Sequence, residues 1–145
     1  MPSGNAPRRT SPTALQTEMG YASSMGFSTD ELDLLDRTEE VEIETTGADG
    51  VAHRTIIWAV VDDGEVFIRS YRGPDARWYR EALERPAVAI AVDGRLLPAQ
   101  AVPATDASSI ERTSAALLRK YDGDPAAQRM VRDEILDLTL RLEPT

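Results

Sequence analysis

The chain has 145 residues, one histidine, no cysteine and a formal net charge of −9. A length on this scale favours one domain that buries roughly 70% of its unfolded surface, and the lack of cysteine excludes disulfides, thiolate metal ligands and thiol catalysis. The acidic balance argues against a nucleic-acid partner, which needs a basic face. No run approaches the ~20 apolar residues of a membrane span, and no apolar core follows Arg8 and Arg9 as in a signal peptide, so a cytoplasmic location is expected.

In chain order, residues 1–26 are rich in Pro, Ser, Gly, Ala and Met without a clear period, and read as a flexible tail or a loosely attached lid ahead of a domain over residues 27–145. Ser28 and Glu31 form a capping-box pattern at the start of a helix that ends near Arg37. Val41 and Ile43 alternate with glutamates, the mark of a strand with one wet face. Gly47 to Gly50 is a turn, and Thr55 to Val61 is apolar enough for a strand buried on both faces. Asp62-Asp63-Gly64 is a hairpin turn, and Glu65 to Tyr71 is the returning strand.

Gly73-Pro74 predicts a helix start with proline near its first position. Trp78, Tyr79, Ala82 and Leu83 form its buried stripe, and Arg77 with Glu81 and Arg80 with Glu84 form pairs on its exposed side. Pro86 ends it. Val88 to Val92 is a buried strand, Asp93-Gly94 a second hairpin turn, and Leu96 to Ala104 the returning strand. A helix from Thr105-Asp106 follows, with Ile110, Leu117, Leu118 and Tyr121 on one face. Asp122 to Pro125 ends it and caps the next helix, in which Met130, Val131 and Ile135 face inward. Leu138 to Glu143 is the last strand. The fold expected is α+β, a small antiparallel six-stranded β-barrel with flanking helices.

Function is constrained first by what is missing. His53 is the only histidine and sits beside Arg54 at a strand entry, where it reads as a surface residue. No nucleophile elbow, Walker loop or dinucleotide fingerprint occurs, and the acidic pairs fall in turns or on wet strand faces. Arginine is concentrated: Arg69, Arg72, Arg77, Arg80 and Arg85 fall within seventeen residues that hold only three acids. Arginine suits bidentate recognition of phosphate and carboxylate. Arg77 falls in the first turn of a helix whose free N–H groups favour an anion. Trp58, Phe67, Tyr71, Trp78 and Tyr79 offer faces for a planar ring.

The ordered set Arg54-Thr55, Ser70, Arg77-Trp78 and Arg85-Pro86, with Asp93-Gly94-Arg95 and the closing Leu140 to Pro144, resembles the FMN-binding split-barrel superfamily. That superfamily includes the pyridoxamine-phosphate oxidases and deazaflavin-dependent nitroreductases. Within it, the chain is most similar to a bacterial family known only as a domain of unknown function. The resemblance covers about Thr45 to Pro144. It implies a split β-barrel, a homodimer with the cofactor where two barrels meet, and hydride transfer from FMN or the deazaflavin coenzyme F-420 to a small organic acceptor. It implies that Arg54 and Thr55 contact the cofactor's phosphate or ring edge, that Ser70 and Arg77 hold the phosphate, and that Trp78 packs near the ring. Where deazaflavin-dependent members carry a basic glycine-rich loop, Thr45 to Val51 has no basic residue. Two other readings stand beside this one: a non-enzymatic binder of flavin, haem or another small ligand, with His53 the sole histidine for haem, and an interaction protein without a cofactor.

Overall fold

The computed structural model describes residues 26–145 together with Pro2–Ser3 and Ala6–Pro7. Strands β1 (Pro2–Ser3) and β2 (Ala6–Pro7) pair antiparallel. The rest of the expected tail or lid lies outside the described residues.

The first helix, α1 (Thr29–Arg37), carries the capping box its sequence announced. Ser28 Oγ accepts from the Glu31 N–H at 3.1 Å, and Glu31 Oε1 accepts from the Ser28 N–H at 2.9 Å. Seven strands follow: β3 (Val41–Thr46), β4 (Ala52–Ile57), β5 (Ala59–Asp62), β6 (Glu65–Arg69), β7 (Ala87–Val92), β8 (Arg95–Pro103) and β9 (Thr139–Pro144). They form one antiparallel sheet in the order β4-β3-β7-β8-β9-β6-β5. The edge strands β4 and β5 are consecutive in the chain, separated by Trp58 alone. A sheet whose two edges are joined by one residue must curl until they meet, so the architecture is a curled antiparallel half-barrel.

Six strands were expected, and the seventh arises at Trp58. The run Thr55 to Val61 was read as one strand, but it bends at Trp58 so that its halves pair with opposite ends of the sheet. The bend is held from outside. Trp58 stacks on Tyr121 with ring centroids 3.7 Å apart and planes 7° from parallel. Tyr121 donates its hydroxyl to the Glu39 carbonyl at 2.6 Å. Lys120 Nζ donates to the Ala59 and Leu35 carbonyls at 2.6 and 2.8 Å, tying the start of β5 to α1. Burial lowers the Lys120 ammonium to about 8, against the opposing pull of Asp36 and Glu39.

Both tight hairpins form as read. Asp63 and Gly64 have φ of 49° and 78°, Asp93 and Gly94 of 50° and 72°, the two positive values that primed turns demand. Helix α2 (Arg77–Glu84) starts later than expected, with Ala76 as its N-cap. Gly73 adopts φ 92°, which breaks the helical path before Pro74 can nucleate it. Trp78, Tyr79 and Ala82 are buried, whereas Leu83, expected inside, is 44% exposed. Helices α3 (Ala107–Lys120) and α4 (Pro125–Arg129) are capped by Asp106 and Asp124, and a 3₁₀ turn over Asp133–Leu138 leads into β9. The interior of the curl is filled by Ile43, Val66, Ile68, Ile90 and Leu140, each at most 1% exposed, while Phe67 is buried on the other face of β6 with the Arg112 guanidinium of α3 5.2 Å from its ring centroid. Among the described residues, no helix is long and apolar enough to cross a membrane.

Candidate functional site

The bend between β4 and β5 opens a cavity of about 310 Å³, at the lower end of the range for small-molecule sites. Thr55, Ile56 and Ile57 of β4 form one wall, and Trp58 stands at the bend. Trp78 closes the side toward α2, Ala126 and Met130 close the side toward α4, and Tyr71, Arg72, Arg69 and Glu40 complete the lining. The mixture is aromatic and apolar on the walls, with two guanidinium groups and one carboxylate.

Arg69 is the unusual member. Its side chain is 2% exposed. Its Nε donates to Thr139 Oγ1 at 2.9 Å, Nη1 to Ser114 Oγ at 3.0 Å and the Met130 carbonyl at 2.9 Å, and Nη2 to the Ile110 carbonyl at 3.1 Å. Guanidinium has five N–H donors, so one on Nη2 has no acceptor among the described residues. None of those residues gives Arg69 a carboxylate within ion-pair distance either. Burial lowers it to about 10, so it stays cationic at neutral pH. A buried cation without an anion is costly, and the cavity it lines is where an anion could offset that cost.

Further cations gather at Tyr71. Arg129 Nη1 donates to the Tyr71 hydroxyl at 3.0 Å. Arg132 Nη2 donates to the Tyr71 carbonyl at 2.6 Å, and its guanidinium lies 5.3 Å from the ring centroid. Tyr71 is thereby fixed from two sides next to Arg72.

The structure brings together two of the five residues singled out in the sequence. Thr55 and Trp78 line the cavity. Arg54 points to the outer face of β4, half exposed, with Nε 3.0 Å from Glu44 and Nη1 3.9 Å from Glu42. Ser70 is fully buried and donates its hydroxyl to the Gly73 carbonyl at 2.6 Å, closing the turn after β6. Arg77 is half exposed, with Nε 4.0 Å from Glu81. The arginine cluster did signal Arg69 and Arg72, but nothing local marked Arg69 as the buried member.

Two side chains lie elsewhere than expected. Glu81, read as part of an exposed pair, is 12% exposed, and His53, read as a surface residue, turns toward it, Nδ1 to Oε2 at 3.2 Å. The Arg77–Glu81 pair forms, but Arg80 donates instead to the Asp75 carbonyl at 3.2 Å. His53 does not line the cavity, so it offers no axial nitrogen to a ligand seated there.

Residues 31–142 match the family model described as an uncharacterized protein conserved in bacteria, DUF2255. The chain belongs to that family. No curated protein matches it. Among solved structures it is similar to the conserved hypothetical protein Rv2991 from Mycobacterium tuberculosis, at 18% identity, with 83% of this chain and 81% of that one covered and a TM-score of 0.59. It is also similar to an F420-H2 dependent reductase (FDR-A), at 21% identity, 76% and 97% coverage and a TM-score of 0.56. HutZ, the haem storage protein from Vibrio cholerae, matches at 14% identity, 83% and 92% coverage and a TM-score of 0.57. At such identities the shared property is the fold. This DUF2255 chain thus has the split-barrel architecture its sequence resembled.

Proposed function

We propose that this DUF2255 protein binds a flavin-type cofactor, FMN or the deazaflavin coenzyme F-420, in the cavity at the β4–β5 bend, and serves as an oxidoreductase for a small organic acceptor. The observation that carries the reading is the pairing of aromatic walls with a buried guanidinium that has one unmatched N–H and no carboxylate partner. A planar ring with an anionic arm matches both halves of that lining. Trp58, Trp78 and Tyr71 would flank the ring, Thr55 would meet its polar edge, and Arg69 and Arg72 would hold the anionic arm. Arg77, at the start of α2 beside Trp78, would extend the same grip outward. When bound, such a cofactor supplies the hydride. The chain's own part is to orient the ring, exclude water with its apolar walls and neutralise the arm. The presence of a reductase among proteins of the same fold supports this reading. Uptake of FMN or F-420 by the purified full chain tests it.

The rim of the cavity supports a dimer. Ile56 lines the cavity yet is 62% exposed, on an edge strand with one unpaired side. An apolar side chain on an unpaired edge strand fits pairing of that edge with a second copy of the chain. Sedimentation at micromolar concentration should give a dimer, and Ile56→Asp should shift it toward monomer. A wild-type monomer at all concentrations would remove the shared-interface site.

A further inference from the structure

Most arginines of the described chain have a carboxylate within ion-pair distance, among them Arg54, Arg77, Arg95, Arg112 and Arg141. Arg69, Arg72, Arg129 and Arg132 have none among the described residues, a state shared elsewhere by Arg37 and Arg80. Arg69 and Arg72 line the β4–β5 cavity, as does Tyr71. Arg129 and Arg132 both bond to Tyr71. The arginines that lack acids are thus concentrated along one wall of the cavity.

Their geometry at Tyr71 is specific. Arg129 Nη1 donates to the Tyr71 hydroxyl at 3.0 Å, and Arg132 Nη2 donates to its carbonyl at 2.6 Å. The two guanidinium groups therefore hold opposite ends of one residue of the wall. Arg132 also donates through Nη1 to the Arg129 carbonyl at 2.7 Å. A guanidinium has five N–H groups, so those bonds leave most of the donors of Arg129 and more than half of those of Arg132 without an acceptor among the described residues. Arg129 is exposed and Arg132 half-buried, so the remaining donors are open to a ligand.

Gathered cations repel one another, and no carboxylate of the described residues pairs with these. The chain as a whole carries −9, so a local cationic region draws an anion to this end of the molecule. Exposed arginines alone would be only a solvated patch. What makes these part of a site is their continuity, through Tyr71, with the buried Arg69 and its unmatched N–H.

We propose that Arg129 and Arg132 form a second anion subsite, at the mouth of the cavity beside Tyr71. It takes a ligand whose arm carries a further anionic group beyond the one held by Arg69 and Arg72. This rests on the cofactor reading above and narrows it. The single phosphate of FMN uses Arg69 and Arg72 alone. The arm of coenzyme F-420 continues past its phosphodiester into carboxylates, and so offers an anion to each subsite. The positive charge missing from Thr45 to Val51 is supplied instead by α4 and the segment after it. Because surface ion pairs are weak, the subsite selects between arms and adds little to the affinity for the ring.

Titrations of the full chain with F-420 and with its tail-less deazaflavin riboside test this. Wild type is expected to bind F-420 more tightly than the tail-less form, with an advantage that shrinks as salt is raised. Arg129→Glu is expected to weaken F-420 about 10-fold and to leave the tail-less form unchanged. Arg129→Lys keeps the charge and is expected to retain F-420 affinity within about 3-fold. Equal wild-type affinity for the two forms overturns the subsite. Equal weakening of both forms by Arg129→Glu assigns Arg129 to bracing Tyr71 and overturns it as well. Inorganic diphosphate probes the subsite without a ring. If neither FMN nor F-420 binds, the cofactor reading fails, and saturable diphosphate binding that Arg129→Glu removes still upholds the subsite. Absence of saturable diphosphate binding in that case overturns both.

Discussion

Replacing Arg69 with methionine should lower the stability of the fold by about 2–4 kcal/mol, because its four lost hydrogen bonds outweigh the relief of an unpaired buried charge. The guanidinium joins β6 to β9 through Thr139, to α3 through Ser114 and the Ile110 carbonyl, and to the segment after α4 through the Met130 carbonyl. Methionine fills much of the volume and donates nothing. The Met130 and Ile110 carbonyls and the Ser114 hydroxyl would lose this donor, while the Thr139 hydroxyl keeps its bond to the Leu136 carbonyl. The loss is large against a typical total of about 5–15 kcal/mol. Urea denaturation at neutral pH measures it. A change below about 1 kcal/mol would mean that cavity water replaces the lost donors, and that the buried charge contributes little to holding the barrel.

Replacing Arg72 with alanine should have the opposite profile. Arg72 is exposed, makes no ion pair among the described residues and lines the cavity. Stability should move by less than about 0.5 kcal/mol. Affinity for FMN should fall by about 10–100-fold, the scale of one charge-assisted hydrogen bond. Riboflavin, which lacks the phosphate, should be bound equally by Arg72→Ala and wild type. Arg77→Ala is the informative companion, because Arg77 stands outside the cavity and is partly engaged by Glu81. Its loss of FMN affinity should be the smaller of the two. A larger loss in Arg77→Ala would move the phosphate to the first turn of α2, where the sequence alone placed it.

Features fixed by local stereochemistry were legible in the sequence. Ser28 with Glu31 and the two Asp-Gly hairpins each depend on residues within a few positions, and each formed as read. The strands with alternating burial, such as Val41 to Thr46, were equally plain. The bend at Trp58 was not, because a run apolar on both faces has no period to interrupt. Gly73-Pro74 was misread as a helix start because the sequence does not reveal that Ser70 closes a turn onto the Gly73 carbonyl. In the candidate site, Thr55, Trp78 and the arginine cluster were visible, whereas the division of labour within the cluster was not. Arg69 and Arg77 are both arginines in one short stretch, and only the packing of α3 and β9 decides that the first is buried. The His53–Glu81 pair spans 28 positions and comes from two different element types, so nothing in either segment announces the other.

Titration of the purified full chain with FMN and, in parallel, with coenzyme F-420, followed by absorbance and fluorescence, bears most directly on the site. Binding of one of them with a Kd of about 1 μM or tighter, weakened in Arg72→Ala, is the expected result. Binding of neither would contradict a flavin-type cofactor in the β4–β5 cavity and move the reading to a cofactor-free interaction protein or a binder of another small ligand.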